Sequence, residues 1–356
     1  MRLILFDDHS WDNLLPLTFT RPVSLLRVGI LTIGEKWERV LGTASTPLTR
    51  EYLREKYPVE PGDDNLLINS SFLPDRQVTE AIGNLKRGES LVQEAKLVAA
   101  RVGDAAVETW SSSDPGPSQW IRKGIPYEQE LSRVDFPWKI FMLNGQEIEA
   151  DFQLLTRDRE SAMLDQTVQV IGDGTVFVEE GFSAQAITLS THNGPIYLGR
   201  DSEIMEGSVI RGPFALCEGA IVKMAAKIYG PTTLGPYSKA GGEINNAVIL
   251  ANSNKTHDGF LGNSVLGEWC NLGADTNNSN LKNNYSETQM WNYPEGRFIK
   301  TGRQFCGLIM GDHSKSGINT MFNTATLVGV SANIFGPGFP PAYIPSFSWG
   351  GSGGLS

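Results

Sequence analysis

Two polar segments in the second half of the chain hold the side chains best suited to acid–base or group-transfer chemistry. The first, Asn252–Ser264, reads NSNKTHDGFLGNS and carries Lys255 and His257; the second, from Asn271, reads NLGADTNNSNLKNNY and carries Asn280 and Lys282. An imidazole titrates near neutral pH, so a histidine here can take a proton from a nucleophile and pass it on. The two lysines offer point charges for a phosphate. Taken singly, such residues in polar loops are usually solvated, and His257 is one of four dispersed histidines, with His9, His192 and His313. A second cluster stands near the N-terminus. There the apolar run LILF turns into Asp7, Asp8 and Asp12, with Arg21 downstream. Carboxylates after a strand can hold a divalent cation, or can simply be solvated.

The two polar segments interrupt a regular pattern. Aliphatic residues recur every six positions at Leu198, Ile204, Ile210, Leu216, Val222, Ile228, Leu234 and, reduced, Ala240. Four residues after most of them stands a small one: Ser202, Ser208, Ala220, Ala226, Thr232 and Ser238. A shorter run follows at Phe260, Leu266 and Leu272, and a third at Met310, Phe322, Val328 and Ile334 with a weak step at Ser316. Period six fits neither an amphipathic helix nor an alternating strand. It predicts a prism of very short parallel strands, the aliphatic residue inside and the small one at the corner, with coils about 4.8 Å apart. The breaks at about Asn246–Gly259 and Asn278–Phe305 should leave the prism as surface loops.

Before about Asp151 the pattern differs. Strand-like runs at Arg2–Phe6 and Asn65–Asn69 alternate with a helical stretch at Gly34–Leu41, which predicts an α/β layer domain. Trp110–Gln119, WSSSDPGPSQ, reads as a turn-rich loop. The expected division is therefore an α/β domain over residues 1–150 and a parallel β-helix over 151–356. A net charge of −10 and a pI near 5.0 argue against nucleic acid or anionic membrane as partner. Three separated cysteines suggest neither a disulfide framework nor a zinc ribbon, and no stretch of about 18 apolar residues is present. A cytoplasmic protein without membrane insertion is expected.

His257, Phe260 and Gly262-Asn263-Ser264, followed by the asparagine-rich segment, resemble the acetyltransferase half of the bifunctional N-acetylglucosamine-1-phosphate uridylyltransferase/glucosamine-1-phosphate acetyltransferase family, especially its alternative bacterial and archaeal branches. The resemblance implies a left-handed β-helix, a homotrimer and acetyl-CoA bound between subunits. It places His257 as catalytic base, since an amino sugar must lose a proton to attack a thioester. It places Asn280 where an amide orients substrate or steadies an oxyanion. Lys255, Lys282, Arg211 and Lys239 are the basic residues available to the sugar phosphate, and Ala274, Gly317 and Ile318 fall where the family presents backbone to acetyl-CoA. Cys217 and Asn245 stand where an arginine and a lysine are usual, and Phe260 stands where a tyrosine is usual.

The opening LILFDDHSWDNLLPLTFTRPV resembles a sugar-1-phosphate nucleotidyltransferase, keeping Pro16-Leu17-Thr18 and Arg21-Pro22. Its glycine-rich phosphate loop is replaced by Asp7, Asp8 and Asp12, and the family's Asn-Gly-Asp step reads Asn69-Ser70-Ser71. PWKIFMLN, with Pro137, Trp138 and Asn144, matches the junction before the β-helix. The resemblance thus implies Asp7, Asp8 and Arg21 as nucleotide-site residues, with Mg²⁺ required only if this half is active. Three functions are expected in decreasing order. The first is acetyl transfer to glucosamine 1-phosphate, with uridylyl transfer giving UDP-N-acetylglucosamine as a second activity. The second is a sugar-1-phosphate nucleotidyltransferase, or a non-catalytic trimeric scaffold whose first half binds a nucleotide sugar. The third, a γ-carbonic-anhydrase-like zinc site, needs two histidines close in sequence, which His192, His257 and His313 do not provide. The final SFSWGGSGGLS carries no helical pattern of the sort many hexapeptide acyltransferases append, so a shortened C-terminus is expected.

Overall fold

The computed structural model describes residues 1–108 and 118–356. By contacts it divides into two units. One comprises residues 1–14, 20–26 and 31–136, and the other residues 15–19, 27–30 and 137–356.

The first unit is built on a six-stranded mixed sheet in the order Ser45–Leu48, Arg2–Phe6, Asn65–Asn69, Lys96–Val102, Ser90–Gln93, Ile125–Pro126. Arg2–Phe6 lies parallel to both neighbours, and Lys96–Val102 runs antiparallel to Asn65–Asn69. The apolar runs LILF and LLI supply the buried centre, as a strand covered on both faces requires. The expected helix runs Ile33–Leu41. Thr32 caps it, its hydroxyl accepting from Glu35 N at 3.2 Å while Thr32 N donates to the Glu35 carboxylate at 2.7 Å. Gly42, at φ 66°, ends it in the left-handed region. Buried Trp37 fixes the helix by donating from Nε1 to Phe72 O at 3.0 Å. Because Arg2–Phe6 and Asn65–Asn69 are parallel and in register, their C-terminal ends place Asp7 and Asp8 beside Asn69, Ser70 and Ser71. The turn-rich stretch Trp110–Gln119 falls outside the described residues except at its end, where helix Ser118–Arg122 begins.

The second unit is a parallel β-solenoid with three faces. One regular coil passes through Val209–Arg211 on the first face, Phe214–Leu216 on the second and Ile221–Val222 on the third. Pairs such as Phe214↔Thr232 show a full coil of 18 residues, three six-residue units. All eight residues of the aliphatic ladder from Leu198 to Ala240 are buried in one core. The small residues do more than fit a corner. Ser208 Oγ donates to Lys223 O and accepts from Ala226 N, so its hydroxyl stitches one coil to the next. Ser238, Ser253 and Ser314 repeat this device.

Two expectations need correction. Asn246–Gly259 is no surface loop: strand Glu243–Ile249 runs through Asn246 and pairs along its length with Phe260–Leu266. The coils here are shorter, with Lys239 opposite Asn254 and Glu243 opposite Phe260. Shortening shifts the phase, so Leu261 rather than Phe260 enters the core, opposite Ile244. The second break is a true excursion. It leaves after Asn280 and forms a hairpin, Gln289–Asn292 with Arg297–Lys300. It returns at Cys306, whose N donates to Asn280 O at 2.9 Å. Val265 then pairs with Ile309, and the register resumes.

Helix Pro137–Thr156 belongs to the second unit, so the change of pattern read at Asp151 falls inside it. Asn144 anchors the helix to the second face, accepting from Thr233 Oγ1 at 3.1 Å and donating to Pro231 O at 3.2 Å. Asp151 is buried and accepts from Ile30 N at 2.8 Å. Among the described residues no helix is long and apolar enough to cross a membrane.

Candidate functional site

His257 sits at the corner where the third face of one coil turns into the first face of the next. The strand register stacks this corner on two later ones: Asn254 pairs with Asn271 and Asn271 with Lys315, so His257, Ala274 and Ile318 occupy equivalent places. Two hydrogen bonds tie the stack, Asp275 N to Asp258 O at 3.1 Å and Asn319 N to Ala274 O at 2.8 Å. The turn is tight. Gly259 adopts φ +115°, and a Cβ there would lie 2.2 Å from Thr276 O. His257 is exposed on this edge, and Ile318 is 72% exposed. The structure therefore brings His257, Ala274, Gly317 and Ile318 onto one edge. Exposed Lys239, opposite Asn254 on the outer side of the third face, stands one coil away.

The remaining candidates lie elsewhere. Asn280 is at the corner between the first and second faces, the far end of the short Phe260–Gly262 step, which spans roughly 7 Å at about 3.3 Å per residue. Its Nδ2 donates to Asn263 Oδ1 at 2.8 Å. Asn263 in turn donates to Asn246 Oδ1 at 2.9 Å when the Asn246 amide is oriented with its nitrogen toward Phe141 O and Pro231 O. Asn246 and Asn263 have φ of 52° and 48°, values asparagine tolerates well, so the three form an amide ladder along a strained corner. Lys282 is in the excursion and donates to Glu287 O at 3.0 Å. Exposed Arg211 shares this second edge but lies coils earlier, in the column that continues through Tyr229, Asn245 and Gly262.

Lys255 does not face solvent. Its partner on the previous coil is the core residue Ala240, and Lys255 is 1% exposed. Its ammonium donates to Gly241 O at 3.1 Å and His257 O at 2.5 Å. Burial pulls this ammonium down to about 8, against the opposing pull of Asp258 and Asp275. The period-six reading could have found it: Lys255 occupies an aliphatic place once the coil is known to be short.

In the first unit, Asp7 and Asp8 are adjacent but differently held. Asp7 accepts from Thr49 Oγ1 at 2.5 Å and Val23 N at 3.1 Å. Burial raises its carboxyl to about 7, against those hydrogen bonds and Arg50. Burial would raise Asp8 as well, yet the Arg133 guanidinium 2.5 Å away, with Asn69 and Ser10, holds it below the usual carboxylate range. Arg133 also donates to Ser10 Oγ at 2.7 Å and Ser71 Oγ at 2.9 Å, and Arg50 pairs with Asp12 at 2.6 Å. Arg21 is buried, and its carbonyl accepts from Trp11 Nε1. Sequence reasoning missed Arg133, Arg50 and Thr49, which carry no local signature. An open cleft of about 600 Å³ adjoins this network, lined by Phe72, Lys96, Tyr127, Leu131, Arg133 and Asp135 among others. Among the described residues no group of three or more metal-ligating side chains comes together, and His313 stacks on Trp269 with ring centroids 6.2 Å apart.

Residues 3–160 match the family described as sugar nucleotidyl transferase, and a parallel β-solenoid follows them in the chain. A bifunctional sugar-1-phosphate nucleotidylyltransferase/acetyltransferase of Sulfurisphaera tokodaii is 27% identical over 144 residues, which is 40% of this chain and 35% of that protein. The bifunctional protein GlmU of Methanococcus aeolicus is 34% identical over 92 residues, 26% of this chain and 22% of its own length. The matches thus span about a third of one relative and about a fifth of the other. Among solved structures, the polySia specific acetyltransferase NeuO aligns over 54% of this chain and 87% of its own at 13% identity, with a TM-score of 0.32.

Proposed function

We propose that the solenoid is an acetyltransferase that moves the acetyl group of acetyl-CoA to the amine of an amino sugar 1-phosphate such as glucosamine 1-phosphate. The observation that carries this reading is the single edge on which an exposed histidine stands in register with Ala274 and Ile318. His257 takes the proton from the amine as nitrogen attacks the thioester carbonyl, and passes it to the sulfur as the carbon–sulfur bond breaks, so that coenzyme A leaves as the thiol. The extended edge of Ala274, Gly317 and Ile318 offers backbone and one apolar side chain along which the pantetheine arm can lie. The Sulfurisphaera tokodaii relative, named a nucleotidylyltransferase/acetyltransferase, supports the class of reaction. The assembly proposed is a homotrimer in which a neighbouring subunit covers this edge. The test is thiol release from acetyl-CoA in the presence of glucosamine 1-phosphate. Wild-type turnover that falls at least a hundredfold in His257→Ala supports the reading; equal turnover in both removes His257 as base, and none in either removes this acceptor.

The first unit is proposed to bind a nucleotide sugar rather than to transfer a nucleotidyl group. Asp8 is already paired with Arg133, and Ser70 and Ser71 stand where a carboxylate would help hold Mg²⁺. Calorimetry with UDP-N-acetylglucosamine, beside an assay of pyrophosphate release from UTP and N-acetylglucosamine 1-phosphate, separates the two. Sustained pyrophosphate release would overturn this second reading.

A further inference from the structure

Lys255 breaks the rule of the solenoid interior. Its column of inward residues on the third face runs Ile204, Val222, Ala240, Lys255, Leu272, Ser316, Ile334, a place otherwise taken by apolar or small side chains. A buried ammonium persists only where its protons meet acceptors and its stem finds packing. Both conditions hold. Ala240 on the coil before leaves room for the four-carbon stem, and the head turns to the corner and meets two main-chain carbonyls. Those carbonyls belong to the two walls of the short coil: Gly241, ending one third-face strand, and His257, following the next. Gly241 permits the approach, because a Cβ there would lie 2.4 Å from Thr256 O.

We propose that Lys255 is a positioning residue for His257, its internal ammonium clamping the His257 carbonyl to Gly241 so that the imidazole is held at one place and orientation on the corner. The role of His257 rests on the acyl-transfer reading above; the clamp itself does not. An ordinary corner is held by N–H donors from the adjoining coil, as Gly273 N holds Ser316 O. This corner keeps that main-chain bond as well, Gly241 N to Lys255 O at 2.7 Å, and the Lys255 ammonium adds two more from inside, bringing a charge to the His257 carbonyl. Asp258 and Asp275 face the ammonium from the corner turns. From the packed strands, Lys239 points outward from the preceding one, Asn271 and Leu272 bring no titrating group, and Lys223 approaches only through its stem, near Gly241.

With four histidines in the chain, imidazole carbon–proton NMR resolves the question directly, His257 being identified by its loss in His257→Gln. In the wild type the His257 resonance should show, beyond its own titration, a second inflection near pH 8 as Lys255 loses its proton. Lys255→Met, whose thioether follows the same path, should abolish that inflection and shift the His257 resonance at pH 7, with His9, His192 and His313 unmoved; Lys255→Arg should keep the inflection out of this range and restore the shift. A wild-type His257 titration with no second inflection overturns the clamp even if every variant misfolds, and so does a His257 resonance unchanged in folded Lys255→Met. If acetyl-CoA turnover is found, Lys255→Met should lower kcat about tenfold or more with KM for acetyl-CoA within about twofold. Absence of turnover in the wild type removes the acyl-transfer reading and leaves the NMR result to decide the clamp.

Discussion

The two candidate sites treat charge in opposite ways. Near the N-terminus the carboxylates are matched: buried Asp8 with Arg133, partly exposed Asp12 with Arg50, and buried Asp7 with Thr49 and Val23 N. In the solenoid the candidate base stands exposed on a corner, and the buried Lys255 ammonium beneath it is held by carbonyls. The difference teaches that the N-terminal carboxylates are built into the fold rather than left free at a site. They form a cross-linked polar network, and such a network resists the rearrangement a reactive site needs.

This contrast can be broken most sharply at its strongest member. Arg133→Met leaves Asp8 buried without its cation and should lower unfolding free energy by about 3–5 kcal/mol at pH 7, read by urea denaturation. His257→Ala, exposed, should cost about 0.5 kcal/mol or less while removing turnover. Equal stability losses in the two variants would erase the distinction. The Arg133 effect should also shrink in acid: Asp8 is held low, so its stabilisation is present above the ordinary carboxylate pKa of about 3.9 and is lost as pH falls through and below it.

Asp7 predicts the reverse sign. Its pKa is raised to about 7, so the folded state holds a proton that the unfolded state gives up near 4, and stability falls as pH rises from about 4 through 7. Asp7→Asn should therefore be near neutral at pH 4 and stabilising at pH 8, on the order of 2–4 kcal/mol. Denaturation curves of both proteins at the two pH values check this, and a gain confined to pH 4 would refute it. A smaller effect belongs to the solenoid. Ser238→Ala removes a hydroxyl that bridges Leu250 O and Ser253 N, at a cost of about 1–3 kcal/mol. Smallest is Asn280→Ala, which takes one rung from the amide ladder and should cost about 0.5–1.5 kcal/mol. A turnover loss in Asn280→Ala larger than its effect on stability would return Asn280 to the catalytic edge.

The period of six made the regular coils legible from Leu198 to Ala240, and the strands Arg2–Phe6 and Asn65–Asn69 were legible from their apolar runs. What escaped was phase. A period counted forward assumes constant coil length, so the shortened coils near Asn254 hid that Leu261 and Lys255 point inward and Phe260 does not. The stitching by Ser208, Ser238, Ser253 and Ser314 was hidden for another reason: a serine chosen for size and one chosen for its hydroxyl look alike in sequence. Arg133 escaped because its partners Asp8, Ser10 and Ser71 are far from it in the chain and only the sheet brings them together.

The hairpin excursion has an effect beyond the coil it leaves. In a solenoid each coil touches only its neighbours, so such a structure frays from its ends like a one-dimensional stack. Here Trp291 of the hairpin stacks on Tyr343, two coils beyond the excursion's return, with ring centroids 4.2 Å apart, and Tyr293 meets the same ring edge-on. The hairpin is a strap that gives the stack a longer-range coupling, so the last coils should open together with the coil of Asn280 rather than one at a time.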